Sequence, residues 1–172
     1  EAPPWPGLWG RWSGTMIPIG TRIAIVAGSL TEIEEAFMRL ARVGHDSAVG
    51  YILIGEYVGE LNRIEQVPVE EVNELAKAEK VMQFVDVRRI AEYNAGHAVR
   101  TSNIPLDKLP FEFEKLDPSV PTYIICQTGY RSSLGASILE NAGFKKVYNV
   151  TGGTTAWIDA GLEIEAAAAA CA

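Results

Sequence analysis

Ile124-Ile125-Cys126-Gln127-Thr128-Gly129-Tyr130-Arg131-Ser132-Ser133 is the stretch whose reading decides the fold. Two β-branched residues run into a cysteine. A short polar loop with one glycine follows, then an arginine, two serines and a helical pattern (Leu134, Ile138, Leu139, Ala142) stopped by Gly143. The order is strand, tight loop, helix. At such a junction the first helical N–H groups lack intrahelical partners and point into the loop. With the helix dipole they make a cradle for negative charge. A cysteine at its edge is favoured as thiolate, the reactive form. Arg131 adds a permanent cation with planar donors suited to an oxyanion. The competing reading is a buried structural cysteine, since free cysteine is among the most buried residue types. The loop and the arginine weigh against it.

Working outward, strands and helices alternate. Upstream, Ile23 to Val26 reads as a strand. Thr31-Glu32-Ile33-Glu34 has the form of a capping box. It opens a helix with Ile33, Phe37, Leu40 and Val43 on one face and Gly44 as its stop. Val49 to Leu53 is a second strand, and Arg63 to Gln66 reads as a linker. Beyond Pro68 a helix carries Val69, Val72, Leu75 and Ala76. Val81 to Val87 is a strand, Ile90 to Asn94 a helix, and Gly96-His97 the start of a turn. Asn103-Ile104-Pro105 ends an extended piece, and Leu109 to Leu116 is helical up to Asp117-Pro118. After the cysteine loop come a strand at Val147 to Val150 and a helix from Gly152-Gly153 through Trp157 to Gly161. This alternation predicts an α/β fold, a parallel sheet covered by helices on both faces. Ligands in such sheets bind beyond the carboxyl ends of the strands, where Cys126 falls. Residues 1 to 22 hold Trp5, Trp9 and Trp12 among prolines, which argues against a helix there. The tryptophans are expected to pack on an apolar face of the same chain.

Of the 172 residues, 48% are hydrophobic and 22% charged, as in ordinary globular proteins. A net charge of −7 with no long basic run weighs against nucleic acid as a partner. No apolar stretch reaches membrane-spanning length, so no membrane is expected. The two cysteines, Cys126 and Cys171, make no disulfide framework and point to a reducing, cytoplasmic setting. His45 and His97 lie far apart with no cysteine pair nearby, so neither a metal nor another cofactor is expected. The first residues lack both methionine and a signal-peptide pattern, as if cut from a longer product. The alanine-rich tail, 166–172, is assigned no function.

Cys-x-x-Gly-x-Arg-Ser after an apolar strand resembles the active-site loop of rhodaneses, the thiosulfate sulfurtransferase family. The likeness runs from about Glu65 to Glu165. It takes in Asp86-Val87-Arg88, Glu92-Tyr93, Gly96-His97, Asn103-Ile104-Pro105, and Gly152-Gly153 with Trp157. One departure stands out. After Gly96-His97 the family usually has an apolar residue and then Pro-Gly, where this chain has Ala98, Val99 and Arg100. The resemblance implies a rhodanese-like fold with Cys126 as the nucleophile that carries sulfur as a persulfide. Gln127, Thr128, Gly129, Tyr130, Arg131 and Ser132 would bind substrate. Asp86 and Arg88 would support the site, although they and His97 equally read as residues making local hydrogen bonds or ion pairs. The implied partners are a small sulfur-containing donor, such as thiosulfate or a persulfide, and a thiol or cyanide acceptor.

The chain also carries a faint repeat. A shift of 99 residues sets Ile25 on Ile124, Leu40 on Leu139 and Gly44 on Gly143. One inserted residue later, Val49 falls on Val147 and Gly55 on Gly153. The same shift sets Ala27 on Cys126 and Glu32 on Arg131, so the earlier copy has no nucleophile and has acid in place of base. Residues 1–62 are therefore expected to be a partial, inactive copy, preceding a rhodanese domain at 63–165. Half a unit leaves apolar faces uncovered, to be covered by the second domain, another subunit or chain upstream; a homodimer is thus left open. Arg42-Val43-Gly44 followed by Val49-Gly50-Tyr51 resembles the inactive middle domain of fusions led by a metallo-β-lactamase-fold hydrolase. That implies such a domain upstream. Two rival functions remain: a sulfur carrier or docking module without turnover, and a cysteine-dependent phosphatase or arsenate reductase. Related phosphatases have one more residue in the loop than the six from Cys126 to Arg131.

Overall fold

The computed structural model describes residues 8–166, and the chain divides into two compact units, Glu1–Leu61 and Asn62–Ala172. The first begins with helix α1, Leu8–Met16. The proline density of residues 1 to 22 argues against a helix here, and the structure corrects that expectation. Pro3, Pro4 and Pro6 lie ahead of it and Pro18 beyond it, so no proline interrupts a hydrogen bond within it. Trp12 is buried. Trp5 and the Trp9 side chain lie outside the described residues, as do Cys171 and most of the alanine tail.

Strand β1, Ile23–Ala27, leads into helix α2, Leu30–Arg42, and then into strand β2, Ala48–Leu53, parallel to β1. The cap of α2 differs from expectation. Ser29, not Thr31, is the N-cap, with its hydroxyl accepting the Glu32 N–H at 3.3 Å. Ser29-x-x-Glu32 has the same Ser/Thr-x-x-Glu form two residues earlier, and the helix starts at the first such pair. Gly44, at φ +87°, ends it in a left-handed conformation. Ile25, Ile33 and Leu40 form a small core with Ile23, Ala27, Ala36, Phe37 and Leu53 around them. The other face of this two-stranded sheet presents Val26 and Ile52 to solvent.

The first strand of the second unit is β3, Glu65–Val67, which overlaps the end of the stretch read as a linker, Arg63 to Gln66. Three residues are too few to show a strand's alternation. Helix α3, Val69–Lys77, and strand β4, Gln83–Asp86, follow. Next come helix α4, Ile90–Ala95, strand β5, His97–Ala98, strand β6, Ser102–Asn103, and helix α5, Leu109–Glu112, which tightens into a 3-10 turn. Strand β7, Thr122–Ile125, helix α6, Tyr130–Asn141, strand β8, Val147–Val150, helix α7, Gly153–Asp159, and strand β9, Ile164–Glu165, complete it. The main sheet has the order β3-β8-β7-β4-β6, parallel at every pairing. Tyr123 and Ile125 of β7 face Val69, Val72 and Trp157, from α3 and α7. Ile124 faces the opposite way, towards Gly135 of α6, beside Leu109 of α5. Both faces are covered, as an all-parallel sheet requires.

Two readings are corrected here. Gly96-His97 does not open a simple turn, because His97 and Ala98 pair antiparallel with Glu165 and Ile164. A two-residue bridge to a segment 67 residues away leaves no local pattern. In α6 the buried residues are Ser132, Gly135, Ala136 and Leu139, while Leu134, Ile138 and Ala142 are half-buried. The helix lies so close to its neighbours that a Cβ on Gly135 would come within 3.3 Å of Leu109. Small residues, not large ones, mark the packed side.

The parallel strand pairs of the two units start alike and then differ by one residue. In the second unit Thr122, Tyr123 and Ile124 sit beside Val147, Tyr148 and Asn149. In the first unit Ile23 sits beside Ala48, the register slips, and Ala24 and Ile25 then sit beside Gly50 and Tyr51. The residue stepped over is Val49, so by strand pairing Ala48, not Val49, answers to Val147, and the extra residue is Val49 itself.

Candidate active site

β7 is buried along its whole length and delivers Cys126 at its carboxyl end, with the side chain 1% exposed. The chain then turns through Gly129, at φ +96°, into α6. Two donors converge on the sulfur: the Gly129 N–H at 3.2 Å and the Ser132 hydroxyl at 3.4 Å. Ser132 is fully buried, so its hydroxyl has no competing water. Loop and first helical turn are thus wrapped around Sγ, the arrangement that stabilises charge on sulfur.

The back of the loop is held by α7. The Cys126 carbonyl accepts the Thr154 N–H at 2.7 Å and the Thr154 hydroxyl at 3.2 Å. The Gln127 carbonyl accepts the Thr155 N–H at 3.0 Å. This approach needs a glycine at 153: a Cβ there would lie 2.2 Å from the Cys126 oxygen, and φ is +60°. Trp157, buried with its indole N–H on the Glu163 carbonyl at 2.8 Å, anchors the same helix.

Arg131 does not stand alone beside the sulfur. Its guanidinium makes two parallel bonds to Glu92 of α4, at 2.8 and 2.7 Å, in the fork geometry that suits carboxylates. Those bonds hold the Glu92 carboxyl below its ordinary value near 4.5 and push Arg131 higher still. Burial raises the Tyr130 phenol. The Gln127 side chain is committed as well, accepting from Arg88 Nη1 at 3.2 Å and donating to the Thr155 hydroxyl at 2.9 Å. Thr128 and Gly129 complete the loop between them.

Asp86 and Arg88 form a buried ion pair at the end of β4, closed by Arg88 Nε and Nη2 on the two carboxylate oxygens. Arg88 also donates to the Gly96 carbonyl at 2.8 Å, and through Gln127 the pair touches the cysteine loop. His97 is built into the junction of α4 and β5, stacked on Tyr93 at 3.6 Å between ring centres, with Nδ1 2.8 Å from the Tyr93 carbonyl. Arg100 takes φ +64°, left-handed for a non-glycine residue, and donates to the Ala76 carbonyl. Glu92, Thr154 and Thr155 were not singled out from sequence as site residues. Glu92 stood inside a family signature, but nothing local marks an ion pair between residues 39 apart. Among the described residues no three His, Cys, Asp or Glu side chains cluster as a metal site would need, and no helix is long and apolar enough to cross a membrane.

The Rhodanese-like domain family matches residues 68–160, and the chain belongs to that family. Over 104 residues it is 32% identical to a Bacillus subtilis protein named "Putative sulfur carrier protein YrkF", a match spanning 60% of this chain and 56% of that protein. The chain thus covers little more than half the length of that relative. The thiosulfate sulfurtransferase GlpE of Vibrio cholerae is 32% identical over 88 residues, spanning 51% of this chain and 83% of GlpE. Among solved structures, a rhodanese-like domain protein from Staphylococcus aureus superposes with a TM-score of 0.54 at 32% identity, covering 60% of this chain and all of that one. A thiosulfate sulfurtransferase from Pseudomonas aeruginosa superposes with a TM-score of 0.57 over 86% of this chain and 33% of its own. At 23% identity that likeness is one of fold.

Proposed function

We propose that this chain is a sulfurtransferase in which Cys126 carries the sulfur. The observation that carries the reading is the pair of donors, Gly129 N–H and Ser132 hydroxyl, trained on Sγ. In the first half-reaction the Cys126 thiolate attacks the outer sulfur of a donor such as thiosulfate. A sulfur–sulfur bond forms to Cys126, the one within thiosulfate breaks, and sulfite leaves with the electron pair. The loop's N–H groups stabilise the resulting persulfide anion. In the second half-reaction a thiolate or cyanide attacks the terminal sulfur, and the Cys126 thiolate leaves. Two half-reactions through a covalent intermediate predict ping-pong kinetics. No cofactor is needed, since no net electron is gained or lost.

Loop size favours sulfur over phosphate. Each residue added between cysteine and arginine widens the ring, and a phosphoryl group brings three outer oxygens, each wanting donors. The Arg131 fork, which would serve a phosphate, is committed to Glu92. Incubation with thiosulfate should add one sulfur atom to the intact mass, removable by cyanide and absent from Cys126→Ser. Cys126-dependent hydrolysis of aryl phosphate at a comparable rate would put the phosphatase reading first.

A second reading is a sulfur carrier that passes its persulfide only to a partner, and the resemblance to YrkF favours it. It predicts a single loading of Cys126 without turnover on free thiosulfate and cyanide. In either case residues 1–62 are proposed to be a partial, inactive copy of the unit. The intact gene product is proposed to carry a metallo-β-lactamase-fold hydrolase ahead of it. A coding sequence ahead of Glu1 without a His-x-His-x-Asp-His motif would remove that last proposal.

A further inference from the structure

We infer that Thr154, outside the cysteine loop, is a positioning residue that aims the loop's N–H groups at the sulfur; the inference rests on the sulfur-transfer reading of the site. In a planar trans peptide the C=O and the following N–H point in opposite directions. The Cys126 carbonyl is bound by both the N–H and the hydroxyl of Thr154, at 2.7 and 3.2 Å. The N–H of Gln127, in the same peptide plane, is therefore turned away from α7. The Gln127 carbonyl is bound by the Thr155 N–H at 3.0 Å, so the Thr128 N–H is turned away in the same manner. The next N–H, that of Gly129, is on Sγ at 3.2 Å. Two consecutive donors, the Gln127 and Thr128 N–H groups, thus depend on two carbonyls being held on the far side of the loop, and they lead into the Gly129 N–H already on the sulfur.

Thr154 is suited to that task in ways a generic helix residue is not. It is 1% exposed, so no water competes for its hydroxyl. It follows Gly153, whose missing Cβ lets α7 come within reach of the Cys126 carbonyl. It lies three residues before Trp157, whose burial fixes the helix. A carbonyl left with one donor would be freer to rotate, and each rotation would carry the Gln127 N–H out of the cradle. Thr154 never touches the reacting sulfur. It acts through the peptide plane.

The test uses the full chain with Thr154→Val, which removes the hydroxyl and keeps the shape, and Thr154→Ser, which restores it. Three quantities are read: the rate at which iodoacetamide alkylates Cys126 at fixed pH, the rate of sulfur transfer from thiosulfate to cyanide, and the change in the Gln127 and Thr128 amide shifts on loading with sulfur. Thr154→Val should slow alkylation and transfer about fivefold, equivalent to about 1 kcal/mol at 1.36 kcal/mol per tenfold. It should also shrink both amide responses, and Thr154→Ser should recover all three. Thr154→Ala, which removes the same hydroxyl with less bulk, carries the test if the valine variant does not fold. Unchanged alkylation and amide shifts in a folded hydroxyl-less variant would overturn the inference, whatever the effect on melting. If the wild type takes up no cyanide-removable sulfur while Thr154→Val still slows alkylation, the sulfur-transfer reading falls and the positioning role stands.

Discussion

In the first unit β1 ends at Ala27, and the Gly28 N–H donates to the carboxylate of Glu32 at 2.8 Å. In the second unit β7 delivers Cys126, and the Gly129 N–H donates to its sulfur at 3.2 Å. Each loop sits in a βαβ frame of two parallel strands, the registers differing by the one-residue slip at Val49, with a left-handed glycine closing the helix, Gly44 at φ +87° and Gly143 at φ +99°. Ser132, which bonds the sulfur, corresponds to Ile33, a core residue. The first loop has its Gly28 N–H on a carboxylate of its own helix, and hydrocarbon in the serine's place. A strand–loop–helix backbone makes an anion cradle available, and the side chains at three or four positions decide whether an external anion can use it.

The largest effect expected from breaking this contrast is at the cysteine. Cys126→Ser should abolish both persulfide formation and turnover, read by intact mass and by thiocyanate release. Ala27→Cys in that background should restore neither, because Glu32 opposes a thiolate and an anionic donor alike. Recovery of transfer in the double variant would mean that the first loop is merely lacking its nucleophile.

Next in size is the buried pair Asp86–Arg88, for which the first unit has no counterpart among the described residues. Arg88→Met removes one partner and leaves the Asp86 carboxylate, at 0% exposure, without its counter-ion. Breaking such a pair costs about 3 kcal/mol or more. Urea unfolding followed by a probe in the second unit, such as Trp157 fluorescence, should show that loss. A change below about 1 kcal/mol would mean that the pair adds little beyond packing.

The contrast also explains what the sequence made legible. The parallel sheet, the cysteine at a strand's end and the glycine-stopped helices follow from short-range patterns, so they could be read directly. The α1 helix was missed because proline density was averaged over a window whose prolines all lie outside the helix. The α2 cap was misplaced because two overlapping Ser/Thr-x-x-Glu pairs compete there. Strands β3, β5 and β9 have two or three residues each and exist through distant partners. In the site, Cys126, Gly129 and Ser132 were legible from the loop itself. The pairing of Arg131 with Glu92, and the hold of Thr154 on Cys126, were not. They join residues 39 and 28 apart, and only the closed sheet brings them together.

A smaller effect is expected at His45. The shared frame sets it where the second unit has Phe144: the His45 N–H donates to the Leu40 carbonyl and the Phe144 N–H to the Leu139 carbonyl. Both side chains are buried, but among the described residues neither ring nitrogen of His45 has a hydrogen-bond partner. A buried polar group left unsatisfied costs about 1–3 kcal/mol. His45→Phe should therefore stabilise the first unit by about 1 kcal/mol, seen as a higher urea midpoint for a probe in that unit. A lower midpoint would show that the pocket is shaped for the smaller ring.

The smallest expected effect concerns Glu92 of α4, the carboxylate paired with Arg131. Glu92 stands beside the second loop's cradle, but the Arg131 fork holds it at 2.7 and 2.8 Å, so the acid is answered by a cation instead of by the loop's N–H groups. The Arg131 hydrogen bond is the main reason the Glu92 carboxyl is held below its ordinary value near 4.5, and its coulombic attraction adds to it. A carboxyl lowered on folding contributes stability that is fully present above that ordinary value and is lost as pH falls through the lower, folded one. Arg131 is pushed upward and stays charged throughout this range, so the acid alone titrates. Glu92→Gln should therefore be less stable than the wild type by an amount constant near neutral pH, and the gap should close as pH falls below about 4.5. Because the pair is only partly buried, the gap should stay under about 1 kcal/mol. The check is the difference in unfolding free energy between the two proteins, measured from pH 7 to pH 3. A difference that does not shrink on the acid side would mean that the pair is held by shape and neutral hydrogen bonding, and that the second loop manages Glu92 no differently from how the first manages Glu32.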